Sequence, residues 1–287
     1  MTDLNLNVPV LRWLFTEIRE PLKPEEFLQQ FADKLIDSDV PVSRIAFFIR
    51  SLHPTIMGRS FRWEKAEGVQ VTEAGYEVIG QDVYLKSPIL TIYQGQEPYL
   101  RRRLEELEDF SEYPVLSEFK QSGATDYLIY GLHYLNGETH AVSFVCFEQG
   151  GFSDQQLELL KACQVGLSRI AEVYTMRRTA ATLLDTYLGH GTGERVLNGQ
   201  IKRGDGDRIK AVVCFCDLRR SSSIAEEMGM EQFLVTLNEF YDCTAAPIIE
   251  HGGEVLRFIG DAYLGIFPLE KFGSAEAACE AALNAAL

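Results

Sequence analysis

The sequence lacks any apolar run near the roughly 18 residues that a membrane-spanning helix needs. No basic, apolar leader precedes Leu4. Cations are also short: 27 Lys and Arg stand against 42 Asp and Glu, a net charge of −15. That balance argues against general binding of nucleic acid or of an anionic membrane surface. It leaves a single nucleotide open, because a metal ion can neutralise phosphates locally. The six cysteines, Cys146, Cys163, Cys214, Cys216, Cys243 and Cys279, include no Cys-x-x-Cys pair. Cys214 and Cys216 fall on one side of a strand. Reduced core thiols of a cytoplasmic protein are expected, rather than a disulfide or metal framework. The run Gly189-His190-Gly191-Thr192-Gly193 has no strand before it and no Gly-Lys-Ser/Thr after it. It is therefore no phosphate loop and reads as a joint that interrupts a helix. His53, His133 and His140 are scattered and form no ligand set.

What is present is an ordinary globular composition, 46% hydrophobic and 24% charged, in 287 residues that allow two domains. A short helix is expected over residues 10–19. Pro24-Glu25-Glu26 opens a second helix, proline suiting its first turn and acids its dipole. Phe27, Leu28, Phe31, Leu35 and Ile36 give that helix an apolar face. Alternation predicts strands over 44–51 and 57–64. A strand is expected over 89–93, a charged helix over 99–110 and another helix over 115–121. Strands over 125–133 and 140–147 flank Asn136-Gly137, a two-residue hairpin signal. Phe61, Trp63, Tyr84, Tyr93, Tyr127 and Tyr130 are expected in a core.

Ser153 is the candidate N-cap of a long helix. In it Leu160, Cys163, Leu167, Ile170 and Tyr174 follow the 3-4-3-4 spacing of a coiled-coil seam, and Leu184 and Leu188 return to it. Both a parallel dimer helix and an amphipathic helix packed on its own domain fit this pattern. Residues 194–199 make a last helical turn, and 200–208 a polar boundary.

The chemistry concentrates in 211–268. Residues 211–216 form an apolar run of the length of a buried strand, and Asp217 follows at once. Helix then leads to Gly252-Gly253. Two strands, 254–258 and 262–267, enclose the turn Ile259-Gly260-Asp261. If the first and last of these three strands are antiparallel neighbours, Asp217 and Asp261 reach the same sheet edge. Paired carboxylates beside phosphate-sized space are what Mg²⁺ needs. Each aspartate has a plainer reading, a helix cap for Asp217 and ordinary turn chemistry for Asp261. Neither plainer reading explains the pair.

This stretch resembles the catalytic core of the class III nucleotidyl cyclases, the adenylate and guanylate cyclases. The matching pieces are Phe215-Cys216-Asp217-Leu218-Arg219, Leu237-Asn238-Glu239-Phe240-Tyr241, His251-Gly252-Gly253 and Phe258-Ile259-Gly260-Asp261-Ala262-Tyr263, in the family's order. The resemblance implies in-line attack of a ribose 3′ oxygen on the α-phosphorus of ATP, with pyrophosphate leaving and two Mg²⁺ or Mn²⁺ per site. It makes Asp217, Asp261 and the Leu218 carbonyl metal ligands. It makes Arg219, Arg220, Ser221 and Ser222 the phosphate-cradling turn. The family's run there is hydrophobic residue, Arg, Gly, Phe, Thr, so Arg220 and Ser221 replace glycine and phenylalanine. Arg257 stands at the base-selecting position, lysine in adenylate and glutamate in guanylate cyclases. Its guanidinium only donates, which suits adenine N1 and not the protonated N1 of guanine, although arginine is not interchangeable with lysine.

Residues before this region resemble a GAF-like sensor domain, with a PAS-like domain as rival. Pro114 to Tyr130, with its Gly123-Ala124-Thr125-Asp126-Tyr127 turn, looks like segments that precede bacterial cyclase domains. The expected fold class is α+β: a GAF-like antiparallel-sheet domain, a long helical linker, then an incomplete ferredoxin-like (βαβ-hairpin) cyclase domain. The expected boundaries are 1–23 for an N-terminal helical segment, 24–152 for the sensor, 153–199 for a signalling helix or coiled-coil linker, and 200–287 for the N-terminal part of the cyclase domain. The family's transition-state asparagine and arginine would lie beyond Leu287, so this stretch alone is expected to be an inactive fragment. In the family each site lies between two protomers, which implies a homodimer through linker helix and cyclase domain. A small ligand of the sensor is a further partner; nucleic acid and membrane are not expected. The alternatives are a guanylate cyclase and a non-enzymatic sensor and dimerisation module. A diguanylate cyclase, suggested by Gly252-Gly253-Glu254-Val255, does not fit, because its acids directly follow paired glycines within a hairpin turn.

Overall fold

Two units share the chain, Met1–Thr179 and Ala180–Leu287. The computed structural model describes residues 6–19, 22–51, 56–188, 190–199 and 208–287. His53 and the polar boundary at 200–207 lie outside the described residues. Among the described residues, no helix is long and apolar enough to cross a membrane.

In the first unit, α1 (Pro9–Arg12) runs into a π-helical turn, Trp13–Glu17. Helix α2 (Pro24–Ile36) starts as its sequence predicts, with the Lys23 N–H donating to the Glu26 carboxylate at 3.0 Å. Strands β1 (Val42–Arg50), β2 (Ile56–Glu64) and β3 (Gly68–Gly75) follow as an antiparallel meander. Then come α3 (Asp82–Leu85), α4 (Pro88–Tyr93), β4 (Tyr99–Arg103), α5 (Val115–Gln121), β5 (Asp126–His133) and β6 (Thr139–Cys146). The sheet is wholly antiparallel, in the order β3-β2-β1-β6-β5-β4.

Both faces of this sheet are covered. One packs on α2, the N-terminal turns and α6 (Asp154–Leu188) through Phe31, Ile45, Phe144, Leu160 and Leu167. The other lies under α4, α5 and their loops through Ile92, Leu116, Tyr127 and Ile129. The central strands β5 and β6 are therefore buried on both sides and read as continuous apolar runs. Asp126, fully buried, takes Arg101 in a bidentate ion pair with Nη2–Oδ2 at 2.6 Å. It also accepts from the Phe152 N–H at 3.0 Å. That joins the edge strand β4 to the entrance of α6.

Three local expectations need correction. Residues 89–93 are helix α4, not a strand, because Pro88 takes the first turn and Ser87 caps the Leu90 N–H at 3.3 Å. Residues 99–110 are not a charged helix: Tyr99–Arg103 pairs with β5. Charge is what protects an edge strand. The Asn136-Gly137 turn is not a two-residue hairpin. Gly137, at φ +89°, bonds back to the Tyr134 carbonyl at 3.2 Å, and Tyr134 bonds to the Glu138 carbonyl at 2.9 Å, giving a three-residue loop. Strand β3 was not anticipated at all.

Ser153 does cap α6, in a reciprocal pair with Gln156. The seam expected over 160–174 is occupied inside the unit. Leu160, Cys163 and Leu167 are buried in its core, and the Tyr174 hydroxyl donates to the Leu22 carbonyl at 2.6 Å. The packed-helix reading therefore holds for that stripe, and residues 153–179 of the expected linker belong to the first unit. The β5–β6 hairpin is fastened along the same helix. Gln164 donates to the Gly131 carbonyl at 2.6 Å, Glu172 accepts from the Leu135 N–H at 2.8 Å, and the Tyr134 and Thr175 hydroxyls meet at 3.0 Å.

The second unit begins, within α6, at Ala180 and continues with α7 (His190–Leu197), which takes in most of the glycine run expected as a joint. Strand β7 (Ala211–Asp217) leads to α8 (Ser221–Met228), α9 (Met230–Thr244) and α10 (Ala246–Glu250). Strands β8 (Glu254–Ile259) and β9 (Ala262–Pro268) and helices α11 (Leu269–Phe272) and α12 (Ala275–Ala286) complete it. Its sheet has the order β7-β9-β8 and is antiparallel throughout. Ile248, Tyr263, Phe267, Ala278 and Ala282 form the core on one face.

His140 gives the first unit a defined response to acid. Its buried ring lies 4.1 Å from Tyr134, and Nδ1 accepts the Arg50 N–H at 3.0 Å, which requires a neutral imidazole. Burial pushes its pKa from 6.5 down to about 4, against the pull of Glu138. The unfolded chain takes up a proton near 6.5 and the folded one only near 4, so this contribution is lost as pH falls through that window. Both tryptophans, Trp13 and Trp63, are buried in this unit. Their fluorescence should show the urea midpoint falling from pH 6.5 to 5, and the fall should flatten in His140→Gln. An equal slope in the variant would contradict this.

Candidate active site

Strand β7 alternates. Val212, Cys214 and Cys216 face the core, and Val213, Phe215 and Asp217 face out. Its register against β9 sets Phe215 opposite Leu264 and Asp217 opposite Ala262. The hairpin between β8 and β9 is a two-residue turn, Gly260-Asp261, closed by the Ile259–Ala262 pair. Gly260 sits at φ +65°, and Asp261 is not in the left-handed region, the pattern of a turn that asks for glycine at its first central position. Asp217 and Asp261 thus stand at one end of the sheet. Past the last strand pair the Leu218 N–H donates to the Asp261 carbonyl at 3.2 Å, tying the two corners together.

Asp217 is exposed and Asp261 half-buried, and neither makes an ion pair or side-chain hydrogen bond with another described residue. No group of three or more His, Cys, Asp or Glu side chains among the described residues makes a closed metal cage. The donors offered at this sheet end, two carboxylates without protein partners and a backbone carbonyl, are all oxygen. That suits Mg²⁺, which keeps waters and takes phosphate oxygens to complete its shell. The Leu218 carbonyl already accepts from the Ser221 N–H at 3.3 Å, and its second lone pair remains for a ligand.

The turn after β7 brings Arg219, Arg220, Ser221 and Ser222 to the N-terminus of α8. Arg219, Arg220 and Ser222 are exposed, and no side chain caps the helix. Its first-turn N–H groups lack intrahelical partners, as at any helix start. Arg220 adopts φ 63°, ψ 26°, the left-handed conformation. This is the position at which the resemblance replaces a glycine, and the backbone explains why glycine suits it.

Arg257, exposed on β8, pairs with Leu264. It lies in one cross-strand row with Leu264 and Phe215, and the row after next, on the same face, holds Ile259, Ala262 and Asp217. Arg257 and Asp217 share a face, about 12 Å apart, two strand spacings across the sheet and two residues along it. Phe215 is 64% and Ile259 45% exposed, an apolar surface between the two charges. Behind it, Gly253 has no room for a side chain: a Cβ there would lie 2.7 Å from Ile248 and 2.8 Å from Phe267.

In the sequence Tyr241 and Tyr263 are motif positions with no role of their own. The structure gives each phenol one backbone contact, that of Tyr241 at the turn and that of Tyr263 away from it. The Tyr241 hydroxyl donates to the Gly260 carbonyl, and the Tyr263 hydroxyl to the Thr244 carbonyl at 2.7 Å. Phenols spaced along a helix and its following hairpin were the available signal.

No protein-family model matches the chain. Over 67 residues it is 31% identical to an adenylate cyclase of Anabaena cylindrica, a match that covers 23% of this chain and 13% of that protein's length. Among solved structures, a phycocyanobilin-bound GAF domain from a cyanobacterial phytochrome overlaps 58% of this chain and 94% of its own, at 11% identity and TM-score 0.41. The GAF domain of a Bacillus halodurans sensor histidine kinase overlaps 51% and 97%, at 15% identity and TM-score 0.34. A bacterial light-regulated adenylyl cyclase overlaps 55% of each chain, at 15% identity and TM-score 0.32. At these scores the overlaps assign no fold to the chain.

A left-handed arginine costs about 1 kcal/mol relative to glycine. Arg220→Gly should therefore raise the melting temperature of the second unit in calorimetry and leave the Trp13 and Trp63 transition of the first unit unchanged. An unchanged or lower second transition would contradict the conformation.

Proposed function

We propose that the second unit is the nucleotide-holding part of an adenylate cyclase, converting ATP to cyclic AMP and pyrophosphate. The observation that carries this reading is the junction at the sheet end: Asp217 paired beside the Gly260-Asp261 turn, with the Leu218 N–H on the Asp261 carbonyl. Asp217, Asp261 and the Leu218 carbonyl would hold two Mg²⁺ or Mn²⁺. When bound, these ions neutralise charge on the attacking and leaving oxygens of an in-line displacement. Arg219, Arg220, the Ser221 hydroxyl and the first-turn N–H of Ser222 would bind the triphosphate. Arg257 would donate to adenine N1, with Phe215 and Ile259 forming an apolar floor beside it.

In this proposal the first unit is a GAF-like sensor that takes a small ligand, and the protein is cytoplasmic and acts as a homodimer. The stripe over 160–174 is used within the unit, so the dimer would rest on other surfaces. The partial likeness to an adenylate cyclase of Anabaena cylindrica supports the choice of activity. Arg220 in a left-handed turn favours a second reading, a non-enzymatic module with a cyclase-like fold. GTP in place of ATP is the variant that Arg257 disfavours.

Formation of cyclic AMP from ATP with Mn²⁺, measured on a polypeptide that carries this sequence together with the remaining part of a cyclase catalytic domain, should fall at least about 100-fold in Asp217→Ala and in Asp261→Ala. Arg257→Glu should lower the preference for ATP over GTP. Activity retained in either aspartate variant would contradict the metal assignment. No activity in the parent would favour the non-enzymatic module.

A further inference from the structure

Tyr241 lies on α9, yet it reaches the turn that presents Asp261. Its hydroxyl donates to the Gly260 carbonyl. Its ring meets Phe258 edge-on at 4.8 Å and Tyr263 at 6.4 Å, the residues on either side of the turn. Nothing else packs where a side chain of Gly260 would stand, and glycine alone does not restrict this backbone. On the far side of the same turn the Leu218 N–H grips the Asp261 carbonyl at 3.2 Å. The Gly260–Asp261 segment is thus held from α9 on one side and from the end of β7 on the other. Burial, with the Asp261 charge adding to it, pushes the Tyr241 phenol above its usual range. A phenol keeps its proton at neutral pH in any case, so the hydroxyl can donate.

We propose that Tyr241 is a positioning residue for the Asp217–Asp261 pair, fixing the Gly260 carbonyl and so the place at which Asp261 meets a divalent cation. This rests on the metal reading above. The role belongs to the hydroxyl, because phenylalanine would keep the ring contacts and lose only the hydrogen bond. Tyr263 supplies the control. It too donates one phenolic hydrogen bond to a backbone carbonyl, that of Thr244 at 2.7 Å, away from the turn.

The test uses the whole 287-residue chain. Amide exchange at Leu218 is followed by NMR, and Mn²⁺ binding by the loss of the free-ion electron paramagnetic resonance signal. Tyr241→Phe should speed exchange at Leu218 about three- to tenfold and weaken Mn²⁺ binding by a similar factor, the effect of one hydrogen bond. Tyr263→Phe should leave Mn²⁺ binding unchanged. Parent-like exchange and affinity in Tyr241→Phe would overturn the positioning role and leave the metal site standing. Equal weakening in Tyr263→Phe would reduce Tyr241 to a structural part. A parent chain that binds no Mn²⁺ would overturn the metal reading and the positioning role with it.

Discussion

The pairing of β7 with β9 is the constraint on which the candidate site depends. Side chains alternate along a strand, so a slip of one residue would turn Asp217 to the core side and bring Cys216 out. The register is held from both faces. Cys214 and Cys216 pack inward against Tyr263 and Phe267, and the Gly260 turn allows β8 and β9 to close with only two residues between them. Gly253 and Ile248 fit together where α10 gives way to β8. Asp217 and Asp261 are neighbours because a small core demands it.

The first unit shows another use of a helical stripe. Leu160, Cys163 and Leu167 have coiled-coil spacing, and the structure spends them on the sheet of their own unit. The reason is local. Strands β5 and β6 need cover on both faces, and α6 is the long apolar element that follows them in the chain. Gln164, Glu172 and Thr175 then fasten the β5–β6 hairpin to this helix. The Arg101–Asp126 pair joins the opposite edge of the sheet to the start of the same helix.

Much of this was legible in the sequence, for identifiable reasons. The apolar run ending at Asp217 and the Gly260-Asp261 turn carry strong local signals, and the adjacency of the two aspartates depended on the first and last strands being antiparallel neighbours, as β7 and β9 are. The helix over 115–121 and the cap at Ser153 were readable from their own residues. The failures share a cause. At 89–93 the composition Ile-Leu-Thr-Ile-Tyr suits a strand, and the Ser87-Pro88 start signal outweighs it. At 99–103 the charges resemble a helix surface, and the partner that makes them a strand, β5, is distant in sequence. Strand β3 mixes Val, Gln, Thr and Glu at a sheet edge, where burial leaves little pattern. Within the site, Arg220 could be read as a departure, but its left-handed backbone could not. The Tyr241 bond to Gly260 joins residues brought together only by folding.

The central claim is that Asp217 and Asp261 together hold a divalent cation at the end of the β7–β9 pair. Its most direct test is anomalous X-ray scattering from crystals of this chain grown with Mn²⁺ and a non-cyclising ATP analogue. The account predicts a manganese peak within coordination distance of both carboxylates, with triphosphate oxygens on its open side and Arg219 close by. Manganese bound elsewhere, or nucleotide bound with the two carboxylates left free, would contradict it.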